Sequence, residues 1–166
     1  MSIIGIVTGE RQAKEIKKQV EEENLKVEII CINYKSIENI KNVKFEILII
    51  HDSLEKLKEK QENIKQMVQN AKYVLLNSDI VIKEEFFKDI NVKILTYGLK
   101  PKSTITASSM EKKQVIISIQ RAFQSLNGDI IEQQEMPVEL MNERVKDLYN
   151  SLIKIAIIKL HSTKNR

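Results

Sequence analysis

Tyr73-Val-Leu-Leu-Asn-Ser-Asp79 and, after a short helical segment, Val92-Lys-Ile-Leu-Thr-Tyr-Gly98 decide the fold. Each is an apolar run too short for a helix, and each ends in polar or small residues: Asn77 and Asp79, then Thr96 and Gly98. Near-continuous apolar runs of this kind are what strands buried on both faces of a parallel sheet look like. Ligands of open α/β sheets bind outside the carboxyl ends of the strands, so these polar termini mark where a site would lie.

The same grammar extends toward the amino terminus. Residues 2–7 form an apolar run ending in Thr8-Gly9, a first strand. From Glu10 the period changes, and Ala13, Ile16 and Val20 fall on one helical face until Asn24 closes it. Residues 25–32 form a second strand, Ser36 caps a brief helix carrying Ile37 and Ile40, and residues 45–50 form a third strand. Ser53 starts a longer helix whose inward stripe is Leu57, Ile64, Met67, Val68 and Ala71. Residues 84–89 form a short helix with Phe86, Phe87 and Ile90 inward. Alternation of strand and helix predicts an α/β, three-layer, Rossmann-like fold: a mostly parallel sheet with right-handed crossovers and helices on both faces.

After Pro101 the pattern becomes antiparallel. Residues 103–108 alternate, and Val115, Ile117 and Ile119 share one side of the next strand. Asn127-Gly128 is a hairpin signal with residues 129–134 as its returning strand, so an antiparallel extension of three or four strands is expected. A closing helix repeats Val145, Leu148, Tyr149, Leu152, Ile153, Ala156, Ile157 and Leu160 at three and four residues. Basic residues Lys159, His161, Lys164 and Arg166 suit its carboxyl end, and residues 161–166 are expected to fray.

At 166 residues, 42% hydrophobic and 30% charged, the chain is long enough to bury one core as a single domain, 1–166. The net charge of +4 comes from 27 basic and 23 acidic residues with their signs interleaved, whereas nucleic-acid binders show basic stripes, so such a partner is disfavoured. The single Cys31 excludes an intramolecular disulfide and a cysteine-based metal site, and its apolar setting suits an inert core thiol. No apolar run approaches the roughly 20 residues that span a bilayer, and no signal peptide is recognisable, so a cytoplasmic protein without a membrane partner is expected.

Several constellations have two readings. His51-Asp52 after the third strand suits a magnesium ligand, or Asp52 and Ser53 suit a helix cap. Asn77 and Asp79 suit an Asx turn closing a strand before a helix. Thr8-Gly9 before a helix presents amides to an anion, or is a plain strand-to-helix turn. The hydroxyls of residues 103–109 have no histidine nearby to act as base and read as a half-exposed strand. Gln120-Arg121 and Glu132-Gln-Gln-Glu135 form a polar surface for a partner, or ordinary solvated strand residues.

Asn77-Ser78-Asp79, Thr96-Tyr97-Gly98, Phe45-Glu-Ile-Leu-Ile-Ile-His-Asp52 and the helix from Tyr149-Asn150 to Ala156, in this order, resemble the central domain of the Mur ligase family. Those bacterial enzymes are ATP-dependent amide-forming ligases of peptidoglycan synthesis. The resemblance implies a nucleotide crevice at Thr8, Gly9, Asp52, Asn77 and Asp79, in which Asn77 and Asp79 hydrogen-bond a ribose or base. The chain departs from the family at Gly5-Ile-Val-Thr-Gly9-Glu10-Arg11, where no Gly-Lys-Thr follows, and at Ile80, where a second acid would stand. A Gly-Lys-Thr loop cradles phosphates with backbone amides, a lysine and a magnesium-binding hydroxyl. The expectation is therefore a stand-alone, non-catalytic Mur-ligase-like domain, a binding or regulatory module for a protein partner, with no catalytic residues, metal or resident cofactor. The alternatives are a small nucleotide-binding protein or enzyme that uses the residual crevice, and a basic nucleic-acid-associated domain.

Overall fold

The computed structural model describes residues 1–163. It comprises two compact units, one of residues 1–95 and one from Thr96 onward.

In the first unit, β1 (Ser2–Val7), β2 (Val27–Ile32), β3 (Ile47–Ile50), β4 (Tyr73–Asn77) and the start of β5 (Lys93–Tyr97) alternate with α1 (Glu10–Glu21), α2 (Ile37–Ile40) and α3 (Gln61–Asn70). The strand order is β2-β1-β3-β4-β5. β1 pairs in parallel with β2 and β3, and β3 with β4. The chain moves to one side of β1 through α1 and back across it through α2, so right-handed crossovers put α1 on one face and α2 and α3 on the other. The fold is α/β and Rossmann-like.

Register explains the burial. Val7, Ile32, Leu48, Ile50 and Val74 project to the face packed by Ile37, Leu57, Ile64, Met67 and Val68. The alternate layer, with Ile4 level with Ile29 and Ile47, is also buried. Gly5 is required by this packing: a Cβ there would stand 2.8 Å from Ile32 Cδ1 and 2.9 Å from Phe45 Cε1. Asn24, at φ 55°, closes the end of α1 as expected.

The helix expected from Ser53 forms in two parts. Ser53 Oγ accepts from Glu55 N at 3.3 Å, but the segment Leu54–Lys60 is 3₁₀ and breaks at Leu57 (φ −111°, ψ 22°) before α3. Three residues per turn place Leu54 and Leu57 above one another, and both are buried.

The second unit contains the end of β5, then β6 (Ile105–Glu111), β7 (Gln114–Ile119), β8 (Phe123–Gln124), β9 (Ile130–Ile131), β10 (Gln134–Glu139) and α4 (Val145–Leu160). Tyr97 pairs in parallel with Ile105; β6, β7 and β10 then run antiparallel, with β10 outermost and Pro137 in its middle. Val115, Ile117 and Ile119 are buried together, as their alternation predicts. Asn127-Gly128 does turn a hairpin, with Gly128 at φ 87°, but the expected single returning strand is divided. Its first part, β9, pairs with β8, and its continuation, β10, pairs with β7.

α4 departs from a one-sided stripe. Val145 is 62% exposed, whereas Asp147, Asn150, Ser151 and Ile155 are buried with the apolar set. Burial of Asp147 is made possible by Arg144, whose Nε and Nη2 donate to the two carboxylate oxygens at 2.7 and 3.1 Å. At His161, the first residue of the tail expected to fray, the backbone N bonds Ile157 O at 3.1 Å, and Nδ1 lies 2.8 Å from the same oxygen. Lys164 and Arg166, the rest of the expected basic tail, lie outside the described residues. Among the described residues no helix is long and apolar enough to cross a membrane.

Candidate functional site

β1 ends at Val7 and α1 begins at Glu10, so Thr8 and Gly9 alone join them. β2 and β3 flank β1 on opposite sides, which makes the carboxyl end of β1 the topological switch point of the first unit. A crevice of about 220 Å³ opens at this point. Its aliphatic floor is Val7, Ile32 and Leu57, and its rim carries Thr8, Asn33, Tyr34, Asp52, Ser53 and Lys56.

The rim is ordered from beneath. Val7 O accepts from His51 N at 3.3 Å and Asp52 N at 3.0 Å, which fixes the end of β3 beside Thr8. Thr8 Oγ1 donates to Gln12 Oε1 at 3.2 Å, and Gln12 Nε2 lies 3.0 Å from His51 Nε2. With the amide as donor, His51 Nε2 accepts and the ring carries its proton on Nδ1. Burial pushes the His51 pKa below the usual imidazole range, and the Asp52 carboxylate opposes that shift.

Of the five expected residues, Thr8, Gly9 and Asp52 line the crevice, and Asn77 and Asp79 do not. Asn77 Nδ2 donates to His51 O at 3.1 Å, and its Oδ1 accepts from Asp79 N at 3.0 Å. Its amide thus ties β4 to β3 and closes an Asx turn, a positioning role behind the rim. Gly9 adopts φ −67° and ψ 151°, open to any residue, and no atom lies within 4 Å of a Cβ built there.

Asn33, Tyr34 and Lys56 also line the site. The signal for the first two was present: β2, like β4 and β5, is an apolar run that ends in polar and aromatic residues. Asn33 Oδ1 accepts from Lys35 N and Ser36 N at 2.9 and 3.0 Å, and its Nδ2 reaches Glu10 Oε1 at 3.5 Å. Tyr34 is held by its hydroxyl to Glu59 Oε2 at 3.2 Å and by Lys60 Nζ, 5.5 Å from the ring centre. Lys60 in turn lies 2.6 Å from Glu38. Hydrogen bonds from Lys60, Lys41 and Asn63 hold the Glu38 carboxyl down at about 2.

The side chains of Asp52 and Lys56 have no hydrogen bond or ion pair with the described residues. Cys31 donates from Sγ to Thr8 O at 3.3 Å, and burial, aided by Glu10 and Asp52, raises its thiol pKa, which suits an inert group. No group of three or more His, Cys, Asp and Glu among the described residues is arranged to hold a metal ion. In the second unit, Gln120 Nε2 donates to Pro101 O and Ser103 O, and Gln133 Nε2 to Gln120 O. These contacts tie loops together.

No family model matches the chain, and no curated protein matches it significantly. Among solved structures it is similar to the constitutive lysine decarboxylase of E. coli, with 14% identity and a TM-score of 0.34, over 61% of this chain and 15% of that one. It is also similar to methionyl-tRNA formyltransferase from Clostridium thermocellum, with 16% identity and a TM-score of 0.40, over 95% of this chain and 63% of that one. The chain thus spans less than two thirds of either protein, and the fold assignment rests on strand order and pairing alone.

Proposed function

We propose that this chain is a Mur-ligase-like binding module without ligase activity, and that its ligand site is the crevice at the carboxyl ends of β1, β2 and β3. The observation that carries this reading is the two-residue connection between β1 and α1. A phosphate cradle needs several consecutive loop amides and a lysine. Here the strand passes through Thr8 and Gly9 straight into a helix whose first side chain is the acid Glu10. The site keeps its position in the fold and lacks the part that would grip a triphosphate.

A second reading, a small nucleotide-binding protein or enzyme, is favoured by one feature: the unpaired Asp52 carboxylate beside Thr8 at the switch point. One experiment separates the two. The protein is incubated with ATP and magnesium, and phosphate release is followed for the native chain and for Asp52→Asn. The proposal expects no release above background from either. Turnover by the native chain that the substitution abolishes would replace the first reading with the second.

A further inference from the structure

β2 closes its side of the sheet with an open edge, and we propose that this edge pairs with a second copy of the chain. The two β2 strands run antiparallel about a two-fold axis at Ile29. The pairing does not depend on what the crevice binds.

The direction of the backbone groups follows from the register. Ser2 N donates to Lys26 O at 3.0 Å, and Ser2 is level with Val27, Ile4 with Ile29 and Ile6 with Cys31. In a parallel ladder carrying that bond, Lys26, Glu28, Ile30 and Ile32 turn their backbone groups to β1, and Val27, Ile29 and Cys31 turn theirs away. Glu46 N, which donates to Ile3 O on the other side of β1, fits the same alternation. Two outward groups are used within the chain: Val27 N donates to Leu25 O at 3.0 Å, and Cys31 O accepts from Ser36 Oγ at 3.0 Å. Val27 O, Ile29 N, Ile29 O and Cys31 N have no bond to any described residue.

This remainder is its own complement. With Ile29 of two copies directly opposite, each Ile29 N donates to the other copy's Ile29 O, and each Cys31 N to the other copy's Val27 O. The groups that this register leaves facing one another, Val27 N and Cys31 O, are the two already satisfied. Placing Glu28 or Ile30 on the axis instead calls on a committed group and leaves a free one unused. An extended peptide of another protein brings every donor and acceptor open, and some of them then face committed groups; a second copy avoids that mismatch by symmetry.

The edge also lacks the usual guards. β2 carries neither proline nor glycine and one charge, Glu28, whereas β10 has Pro137. Glu28 shares a face with Ile30 and Ile32, which pack on the α3 side, while its partner Lys17, 3.1 Å away, comes from α1 on the opposite face. Their ion pair therefore passes across the outer edge, and an incoming strand displaces it. Both side chains are partly exposed, so the pair is a weak barrier.

The test is sedimentation equilibrium of the whole chain from about 10 µM to about 1 mM, with residue-resolved amide exchange at both concentrations. A reversible dimer is expected, in which the Ile29 and Cys31 amides exchange more slowly than in the monomer and the internally bonded Val27 amide is unchanged. Ile29→Pro removes the central donor at an edge position that tolerates proline, and should weaken the dimer about tenfold or more. Lys17→Ala, on the surface of α1, should tighten it by up to about fivefold. Circular dichroism checks both folds; if Ile29→Pro does not fold, the exchange pattern and Lys17→Ala decide. Monomers at every concentration for both the native chain and Lys17→Ala overturn the proposal. So does a dimer whose Ile29 and Cys31 amides exchange at the monomer rate, or one that a folded Ile29→Pro leaves intact.

Discussion

In β3 four consecutive residues, Ile47 to Ile50, are buried, whereas along β10 each half-buried residue is followed by an exposed one from Gln134 to Glu139. The first pattern belongs to a parallel strand covered on both faces, and the second to an antiparallel strand with one face in solvent. The difference has a functional consequence. A strand buried on both faces cannot present chemistry along its length, so polar groups of the first unit collect where strands end, at Thr8, Asn33 and Asp52. In the second unit polar residues lie along the strands themselves, as Glu135 and Glu139 do, and the hollow they reach, lined by Ser118, Gln120, Gln133, Gln134 and Glu135, lies beside strands rather than at a topological switch point.

The contrast can be broken by neighbouring substitutions. Leu48→Ala and Ile49→Ala face opposite sides of the sheet, yet each should cost about 2–5 kcal/mol in urea unfolding, because both sides are core. In β10, Val138→Ala should cost about 1 kcal/mol and Glu139→Ala less than about 0.5 kcal/mol. Equal losses at 138 and 139 would contradict a one-sided strand.

Two glycines sharpen the same comparison on a finer scale. Gly5→Ala forces a methyl against Ile32 and Phe45 and should destabilise by about 1–3 kcal/mol. Gly9→Ser enters open space at an extended backbone that begins α1 without a side-chain cap, and should stabilise by up to about 1 kcal/mol. A large loss at Gly9 would show that the turn needs glycine after all.

Acid should act on the first unit through His51. Its folded pKa lies below the unfolded value of 6.5, so the unfolded chain takes up the proton first as pH falls. Stability is therefore complete above pH 6.5 and declines from there toward the lower folded pKa. Urea midpoints measured from pH 8 to pH 5 should show this decline in the native chain and a flatter profile in His51→Asn. Glu38 should give the smallest effect. Its pKa is depressed from 4.5 to about 2, so its contribution is present above pH 4.5 and lost as pH falls toward 2. Glu38→Gln should lower the thermal midpoint slightly at pH 7 and leave it unchanged at pH 2; the carboxylate is solvent-screened, so the shift is small.

The parallel half of the fold was legible because each strand ends in a distinct polar signal and each helix keeps its period. What escaped was set by packing between distant residues. The break at Leu57 serves the alignment of two leucines, and the burial of Asp147 needs Arg144 outside the helix, neither of which periodicity reveals. Thr8, Gly9 and Asp52 could be placed in one crevice because all three sit at strand ends on the switch point. Asn77 carries the same signal, yet its amide is taken up by His51 O and Asp79 N, a partnership visible only in three dimensions.

Pro137, midway along β10, has a consequence for the folded chain at high concentration. β10 is the terminal strand of its ladder and would otherwise offer a row of free amides to a second molecule. A proline removes one donor from that row, and the exposed Glu135 and Glu139 place like charges on either side of it. Edge-to-edge polymerisation is thereby discouraged at a single residue, and Pro137→Val is the substitution most apt to turn a dispersed protein into an aggregating one.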